Sequence, residues 1–159
     1  MTISRIAIIG SFRKHYEIVR SAIHVFRGAG LEVTSPLGTD VIEQGVDFVR
    51  FTSDPQEDED PTVQSETLRR IFSADLTFVV APAGYVGRTT CYEIGRLTQA
   101  RMPIYFSERP DDLPLYVPGS RIATPEVIIQ RFVVAGEQPQ PLFSQDDHPS
   151  YLIERELVQ

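Results

Sequence analysis

The chain has few of the residues that hold small folds together through covalent links or metals. Its single cysteine excludes an internal disulfide, and the spacing of its three histidines, His15, His24 and His148, matches no metal site. At 159 residues, one domain buries roughly two thirds of its unfolded surface and needs no such support. We therefore expect a single domain over residues 1–159, with a C-terminal arm at 135–159, and no metal or other cofactor.

Long hydrophobic runs and an excess of positive charge are also lacking. No apolar stretch approaches the ~20 residues of a membrane helix, and the start MTISRIAIIG has too short an apolar part for a signal peptide. Together with the lone cysteine, these features predict a cytoplasmic protein with no membrane partner. The net charge is −7, so an extended polyanion would be repelled, and we expect no nucleic-acid polymer as a partner.

Short apolar segments alternate with amphipathic ones along most of the chain. Strands are predicted at 5–9, 31–36, 76–81 and 102–107, and the segment 47–53 is either a strand or an irregular arm. Helices are predicted at 14–27, 62–73, after GRTT at 87–90, at 124–133, and in the last residues.

This alternation predicts an α/β fold of the flavodoxin-like (Rossmann-like) class. Such a fold is doubly wound, and here it would have a mostly parallel sheet of about five strands with helices on both faces. Sheets of this kind bind ligands outside the carboxyl ends of their strands. The candidate loops are therefore 10–15, 35–50, 82–90 and 107–120.

The loop GSFRKH follows the first strand and contains two cations close to a helix start. Arg13 and Lys14 lie near the positive end of the helix dipole, where a cation is disfavoured unless an anion rests on the free N–H groups. Phosphate is the usual anion at such a place. We predict an anion site formed by Gly10, Ser11, Phe12, Arg13 and Lys14. The alternative is a turn glycine, a capping serine and solvated cations.

The loop that follows the strand at 76–81 leads to a glutamate with two interpretations. Gly84 and Gly87 either allow close approach to a ligand or form an ordinary strand-to-helix turn. Thr90 and Glu93 have the spacing of a capping box, in which the glutamate accepts a backbone N–H bond. On the first turn of a helix near the sheet edge, Glu93 would equally be placed to act as a catalytic carboxylate. The spacing alone does not choose between cap and catalyst.

The segment ADLTFVVAPAGYVGRTTCYEIGRLTQARMPIYFSE, residues 74–108, resembles the core of the nucleoside 2-deoxyribosyltransferase and nucleotide N-glycosidase superfamily. The shared pattern is an Ala-Asp strand start, a loop of small residues, Glu-Ile-Gly on a helix, and a proline before another strand. The N-terminal GSFR also resembles the G-S-x-R segment of 5′-deoxynucleotide N-hydrolases, and SPL at 35–37 lies where the second strand of that family ends. The resemblance covers residues 5–107.

The resemblance implies a role for each matching residue. Glu93 matches the nucleophile that attacks the anomeric carbon of the sugar, and Asp75 matches an aspartate that orients or protonates the substrate. Ser11 and Arg13 match residues that contact a 5′-phosphate. Family members are usually homo-oligomers in which a neighbouring subunit completes the site. The loop YVPGS at 116–120 and the C-terminal segment are the candidates for that contact.

Two departures from the family pattern favour a hydrolase over a base-exchanging transferase. Gly87 stands where the transferases commonly have aspartate, and Thr89 stands where they have glycine. The adjacent Arg88 suits a phosphorylated substrate. The loop is also similar to the PGGxGTxxE segment of cytokinin-activating phosphoribohydrolases. We expect an enzyme that cleaves the N-glycosidic bond of a nucleoside 5′-monophosphate or related nucleoside. The alternatives are a 2-deoxyribosyltransferase and a non-catalytic nucleotide-binding domain.

Other residues have weaker claims to a function. Cys91, just inside the predicted helix, is interpreted as a small packing residue. The acidic run DPQEDED at 54–60 is expected to face solvent. Aromatic side chains that could stack on a base, although each is more often part of a core or rim, are Tyr16, Phe51, Tyr85 and Tyr92.

Overall fold

Four short apolar segments form a single parallel sheet in the described part of the chain. The computed structural model describes residues 2–40, 49–144 and 147–158. The strands are β1 (Arg5–Gly10), β2 (Glu32–Ser35), β3 (Leu76–Val80) and β4 (Ile104–Phe106). They pair in parallel in the order β2-β1-β3-β4. This confirms the flavodoxin-like α/β class.

The strand order opens a crevice between β1 and β3. The connection that leaves β1 runs outward to β2, whereas the connection that leaves β3 runs outward to β4 on the other side. Because the two connections diverge, the carboxyl ends of β1 and β3 have free space between them. The fold therefore has one topological switch point, and it lies at these two strand ends.

The sheet has four strands within the described residues, where we expected about five. Residues 49–53 form no strand, and residues 47 and 48 lie outside the described residues. The backbone N–H of Phe51 donates to the carboxylate of Asp54 at 2.7 Å, and the N–H of Asp54 donates to the carbonyl of Phe51 at 3.0 Å. This local side-chain bond competes with a sheet ladder for the same backbone groups.

The predicted helices are all present, with ends that differ by a few residues. The last part of α4 continues as a π-helix over Ile129–Val134, and single helical turns lie at Pro82–Gly84 and Gly119–Arg121. The helices are α1 (Phe12–Gly28), α2 (Asp60–Phe72), α3 (Arg88–Gln99), α4 (Pro125–Ile128) and α5 (Pro149–Leu157).

The helices cover both faces of the sheet, as predicted. Side chains alternate across β1, so that Ile6 and Ile8 enter one core while Ala7 and Ile9 enter the other. The first core is closed by α1 and the 125–134 helix, through Val19, Ala22, Ile23, Phe26, Ile128 and Phe132. The second is closed by α2, α3 and the C-terminal residues, through Ile71, Ile94, Leu97, Leu142, Phe143 and Tyr151.

The C-terminal segment, which we expected to be an arm, packs against its own sheet in the described residues. Tyr151 is fully buried in the second core, and the ring of Tyr116 stacks on His148 with centroids 3.8 Å apart. The buried guanidinium of Arg121 donates to the carbonyls of Gln140 and Pro141 at 2.9 Å. The apolar residues of this segment are too widely spaced to reveal such packing in the sequence. No helix within the described ranges is both long and apolar enough to span a membrane.

Candidate active site

A cavity of about 370 Å³ opens at the carboxyl ends of β1 and β2, beside the loop and helix that follow β3. Its volume lies within the range of small-molecule sites. The predicted loops 10–15, 35–50 and 82–90 contribute to it, but the loop 107–120, all of it described, does not. The lining residues are 8–13, 35–37, 49, 51, 54, 63, 64, 67, 70, 85–90 and 93.

Glu93 lines this cavity and does not cap its helix. Helix α3 begins at Arg88 with Gly87 as its N-cap residue, so Glu93 lies on the second helical turn instead of the first. The capping-box interpretation is wrong because Gly87, with φ of 84°, starts the helix three residues before Thr90. The Glu93 side chain instead accepts a hydrogen bond from Nε2 of Gln64 at 2.9 Å.

The environment of Glu93 makes its carboxyl unusually weak as an acid. The residue is only 6% exposed. Burial raises the pKa of Glu93 to about 7, while the hydrogen bond from Gln64 acts in the opposite direction. Both protonation states are therefore populated near neutral pH. A carboxyl with such a balance inside a cavity is typical of residues that react or exchange protons with a ligand.

The first turn of α1 forms one end of the cavity. Gly10, Ser11, Phe12 and Arg13, which we predicted to form an anion site, line it. The hydroxyl of Ser11 accepts the N–H of Lys14 at 3.2 Å, so the helix-cap interpretation of this serine is correct. Lys14, which we also predicted at the anion site, does not line the cavity, and its Nζ lies 3.9 Å from the centre of the Tyr85 ring.

The N-terminus of α3 forms a neighbouring wall. Gly87, Arg88 and Thr89 line the cavity, and the exposed Arg88 makes no hydrogen bond or ion pair with a described residue. Gly84, which we also predicted as a ligand contact, lies outside the cavity lining. Its φ is 78°, and a Cβ at this position would clash with the carboxylate of Asp111. Gly84 is therefore required by the turn.

Asp112, which the sequence did not single out, holds the shape of this wall. Its two carboxylate oxygens accept the N–H groups of Val86 and Gly87, each at 3.0 Å. These bonds fix the backbone that leads into α3. The next residues, Arg88, Thr89 and Thr90, line the cavity at the start of α3, where backbone N–H groups have no acceptor within the helix and favour an anion.

Asp75 lies at the opposite end of the sheet from the cavity. It precedes β3, and its Oδ2 accepts the backbone N–H groups of Ser4 and Arg5, both at 2.9 Å. It therefore ties the start of β1 to the start of β3 and does not line the cavity. The structure does not bring Asp75 to Glu93, and we assign Asp75 a structural role in place of the predicted catalytic one.

Replacing Asp75 separates these two roles. Asp75→Ala leaves two backbone N–H groups without their acceptor, so we expect a loss of about 1–2 kcal/mol in the free energy of unfolding, measured with urea. Asp75→Asn keeps one acceptor oxygen and should lose less. Ligand binding by the folded variants should match the parent, and a loss of binding without loss of stability would restore the catalytic assignment.

Helix α2 supplies three polar cavity residues that sequence reasoning missed. Gln64, Thr67 and Arg70 recur every three residues and so share one face of the helix. Arg70 Nη2 donates to Thr67 Oγ1 at 3.0 Å and lies 3.7 Å from Oδ1 of Asp54. The regular spacing of these three polar residues is the signal that the sequence offered, but it does not show which helix faces the crevice.

Asp54 corrects the prediction that the acidic run at 54–60 faces solvent. Asp54 is only 7% exposed and lines the cavity, whereas most of the residues after it are exposed. Its burial follows from the turn at residues 51–54, which points the side chain back toward its own backbone and toward Arg70.

Aromatic rings form part of the cavity wall. Phe12 and Phe51 meet edge to face with centroids 4.6 Å apart, and Tyr85 also lines the cavity. Tyr16 and Tyr92 do not line it. No cluster of three or more metal-ligating side chains occurs among residues 2–40, 49–144 and 147–158.

Cys91 and His15 lie near this wall, and burial shifts the pKa of both side chains. Burial raises the pKa of the Cys91 thiol, and Asp112 adds to that rise, which disfavours the reactive thiolate. Burial and the neighbouring Lys14 lower the pKa of His15, whose ring packs against Tyr85 outside the cavity lining.

Comparisons of the chain with family models, with curated proteins and with solved structures find no match. The assignment of a function therefore rests on the cavity and its residues.

Proposed function

We propose that this protein is an N-glycosidase that hydrolyses the bond between the base and the sugar of a nucleoside 5′-monophosphate or related nucleoside. The observation that carries the proposal is the position of Glu93. Its buried carboxyl group lines the cavity at the switch point of the sheet, and its hydrogen-bond partner is Gln64 and not its own helix backbone. We further propose that it works in the cytoplasm and as a homo-oligomer.

The chemistry proceeds in two steps with Glu93 as the nucleophile. A carboxylate oxygen attacks the anomeric carbon, a carbon–oxygen bond forms, and the base leaves with the electron pair of the broken carbon–nitrogen bond and takes up a proton from solvent. A water molecule then attacks the same carbon and gives up a proton to solvent. The bond between the sugar and Glu93 breaks with its electron pair on the carboxylate, and the sugar phosphate is released. The negative charge of the carboxylate stabilises the positive charge that the sugar develops in each transition state.

The remaining walls suit the other parts of a nucleotide. Ser11, Arg13 and Arg88 lie at the starts of α1 and α3, where N–H groups and guanidinium groups favour the 5′-phosphate. Phe12 and Phe51 offer an apolar surface for the base. Gln64 positions the Glu93 carboxylate by donating to one of its oxygens.

The pH dependence of the reaction tests the role of Glu93. A nucleophile must be ionised, and the pKa of this carboxyl is about 7. We expect kcat/KM to be low near pH 5, to rise about tenfold per pH unit below 7, and to level off above pH 8. A rate that falls over the same interval would identify Glu93 as a proton donor instead.

Incubation with a panel of nucleoside 5′-monophosphates, followed by chromatography of the free base, tests the activity itself. Matched nucleosides without the phosphate report on the contribution of Arg13 and Arg88. Addition of a second free base distinguishes hydrolysis from transfer, because a base-exchanging transferase forms a new nucleotide. Binding of nucleotides without release of base would support the non-catalytic alternative.

A further inference from the structure

The cavity contains a second charged pair, Asp54 and Arg70, whose bonding capacity is only partly used. Asp54 Oδ2 is occupied by the backbone N–H of Phe51, but Oδ1 has only the 3.7 Å contact with Arg70, which is too long for a hydrogen bond. Arg70 Nη2 is bonded to Thr67, whereas Nη1 makes no bond with a described residue, and Nε is buried without a partner. A carboxylate acceptor and a guanidinium donor therefore remain side by side.

The chemistry of this pair selects against a phosphate group. An anion that bonded to Arg70 would stand next to the Asp54 carboxylate, and the buried position of Asp54 strengthens that repulsion. The group that satisfies both residues is neutral, and it offers one hydrogen-bond donor beside one acceptor.

The position of the pair indicates which part of a nucleotide it meets. Gln64, which contacts Glu93, and Arg70 lie six residues apart on α2, so about 9 Å of helix separates them. Asp54 is bonded to the backbone of Phe51, whose ring forms the aromatic wall with Phe12. If the anomeric carbon of the sugar lies at Glu93, the base extends toward the wall formed by Phe12 and Phe51. The hydrogen-bonding edge of the base then meets Asp54 and Arg70.

We propose that Asp54 and Arg70 recognise a base that carries an amino group next to a ring nitrogen, as in adenine and cytosine. The inference rests on the proposed function for the place of the sugar. Asp54 accepts from the amino group, and Arg70 donates to the ring nitrogen. In hypoxanthine and uracil the corresponding positions are a carbonyl oxygen and a ring N–H, which would face a carboxylate and a guanidinium and leave both unpaired.

Binding measured on the Glu93→Gln variant tests this inference without cleavage of the ligand. By calorimetry, we expect adenosine 5′-monophosphate to bind about 10–100-fold more tightly than inosine 5′-monophosphate, and the cytidine form to exceed the uridine form likewise. The double variant Glu93→Gln/Asp54→Asn has an amide at position 54, which can donate as well as accept a hydrogen bond. Both affinity ratios should therefore fall to near one. Thermal unfolding checks that this variant is folded.

The outcomes distinguish this inference from the proposed function. Equal binding of the two members of each pair, or ratios that survive Asp54→Asn in a folded protein, would overturn the recognition of the amino base. If Asp54→Asn prevents folding, the same comparison with Arg70→Met decides, since it removes the donor to the ring nitrogen. Selective binding together with no release of base by the parent protein would retain the inference and refute the glycosidase.

Discussion

Glu93→Gln is expected to reduce the rate of base release on the order of 10⁴-fold while the protein stays folded. The amide keeps the size of the side chain and can still accept the hydrogen bond from Gln64, but it has no charge with which to attack the sugar. Base release is measured by chromatography under single-turnover conditions, and folding by circular dichroism.

Gln64→Glu is not a suitable control for that experiment because it would place two carboxyl groups together. Gln64→Leu is better matched, since it removes only the hydrogen bond that lowers the pKa of Glu93. The pH at which activity rises should then move upward, with activity retained at high pH. An unchanged rate in Glu93→Gln would show that the carboxylate takes no part in the chemistry.

The same Glu93→Gln substitution should make the protein more resistant to unfolding at high pH. The pKa of Glu93 is raised from 4.5 to about 7 in the folded state, so the folded protein binds more protons than the unfolded chain between these values. Stability therefore falls as the pH rises through this interval. Above pH 8 the buried charge costs about 3 kcal/mol, and the neutral amide of the variant avoids that cost.

Urea unfolding at pH 5 and pH 8 measures this effect. The parent and the variant should differ by less at pH 5, where the Glu93 carboxyl is mostly neutral in the folded protein, than at pH 8. Glu126→Gln provides a control because Glu126 is exposed and its pKa is lowered by local hydrogen bonds at the start of α4. An equal stability difference for Glu93→Gln at both pH values would contradict a raised pKa of Glu93.

The strands and helices were largely predictable because each has a local signal. The run at 76–80 is buried on both faces and is uniformly apolar, and Ser11 marks the start of α1 as a capping residue. The irregular stretch at 49–53 was ambiguous because Val49 and Phe51 favour a strand, whereas the local bond from the Phe51 N–H to the Asp54 carboxylate favours a turn.

The site was only partly predictable because some of its residues follow strands, whereas others meet only through the packing of distant segments. Residues 11–13 follow β1 directly, and Glu93 lies on the second turn of the helix that follows β3, so the rule that ligands bind at carboxyl ends predicts both near the cavity that they line. Asp75 precedes β3, so the same rule predicts it at the amino ends of the strands, away from the ligand. It lies there in the structure. Asp54 and Arg70 meet across sixteen residues (70 − 54), a pairing that depends on how α2 packs and that no local pattern reveals.

Mass spectrometry of the quenched reaction tests most directly whether the Glu93 carboxylate attacks the sugar. During turnover of an accepted nucleotide, we expect the intact protein to gain the mass of one sugar phosphate less one water, peptide mapping to place that mass on Glu93, and the Glu93→Gln variant to gain nothing. Release of base with no protein-bound sugar at any time, or with a sugar bound elsewhere, would contradict nucleophilic attack by Glu93.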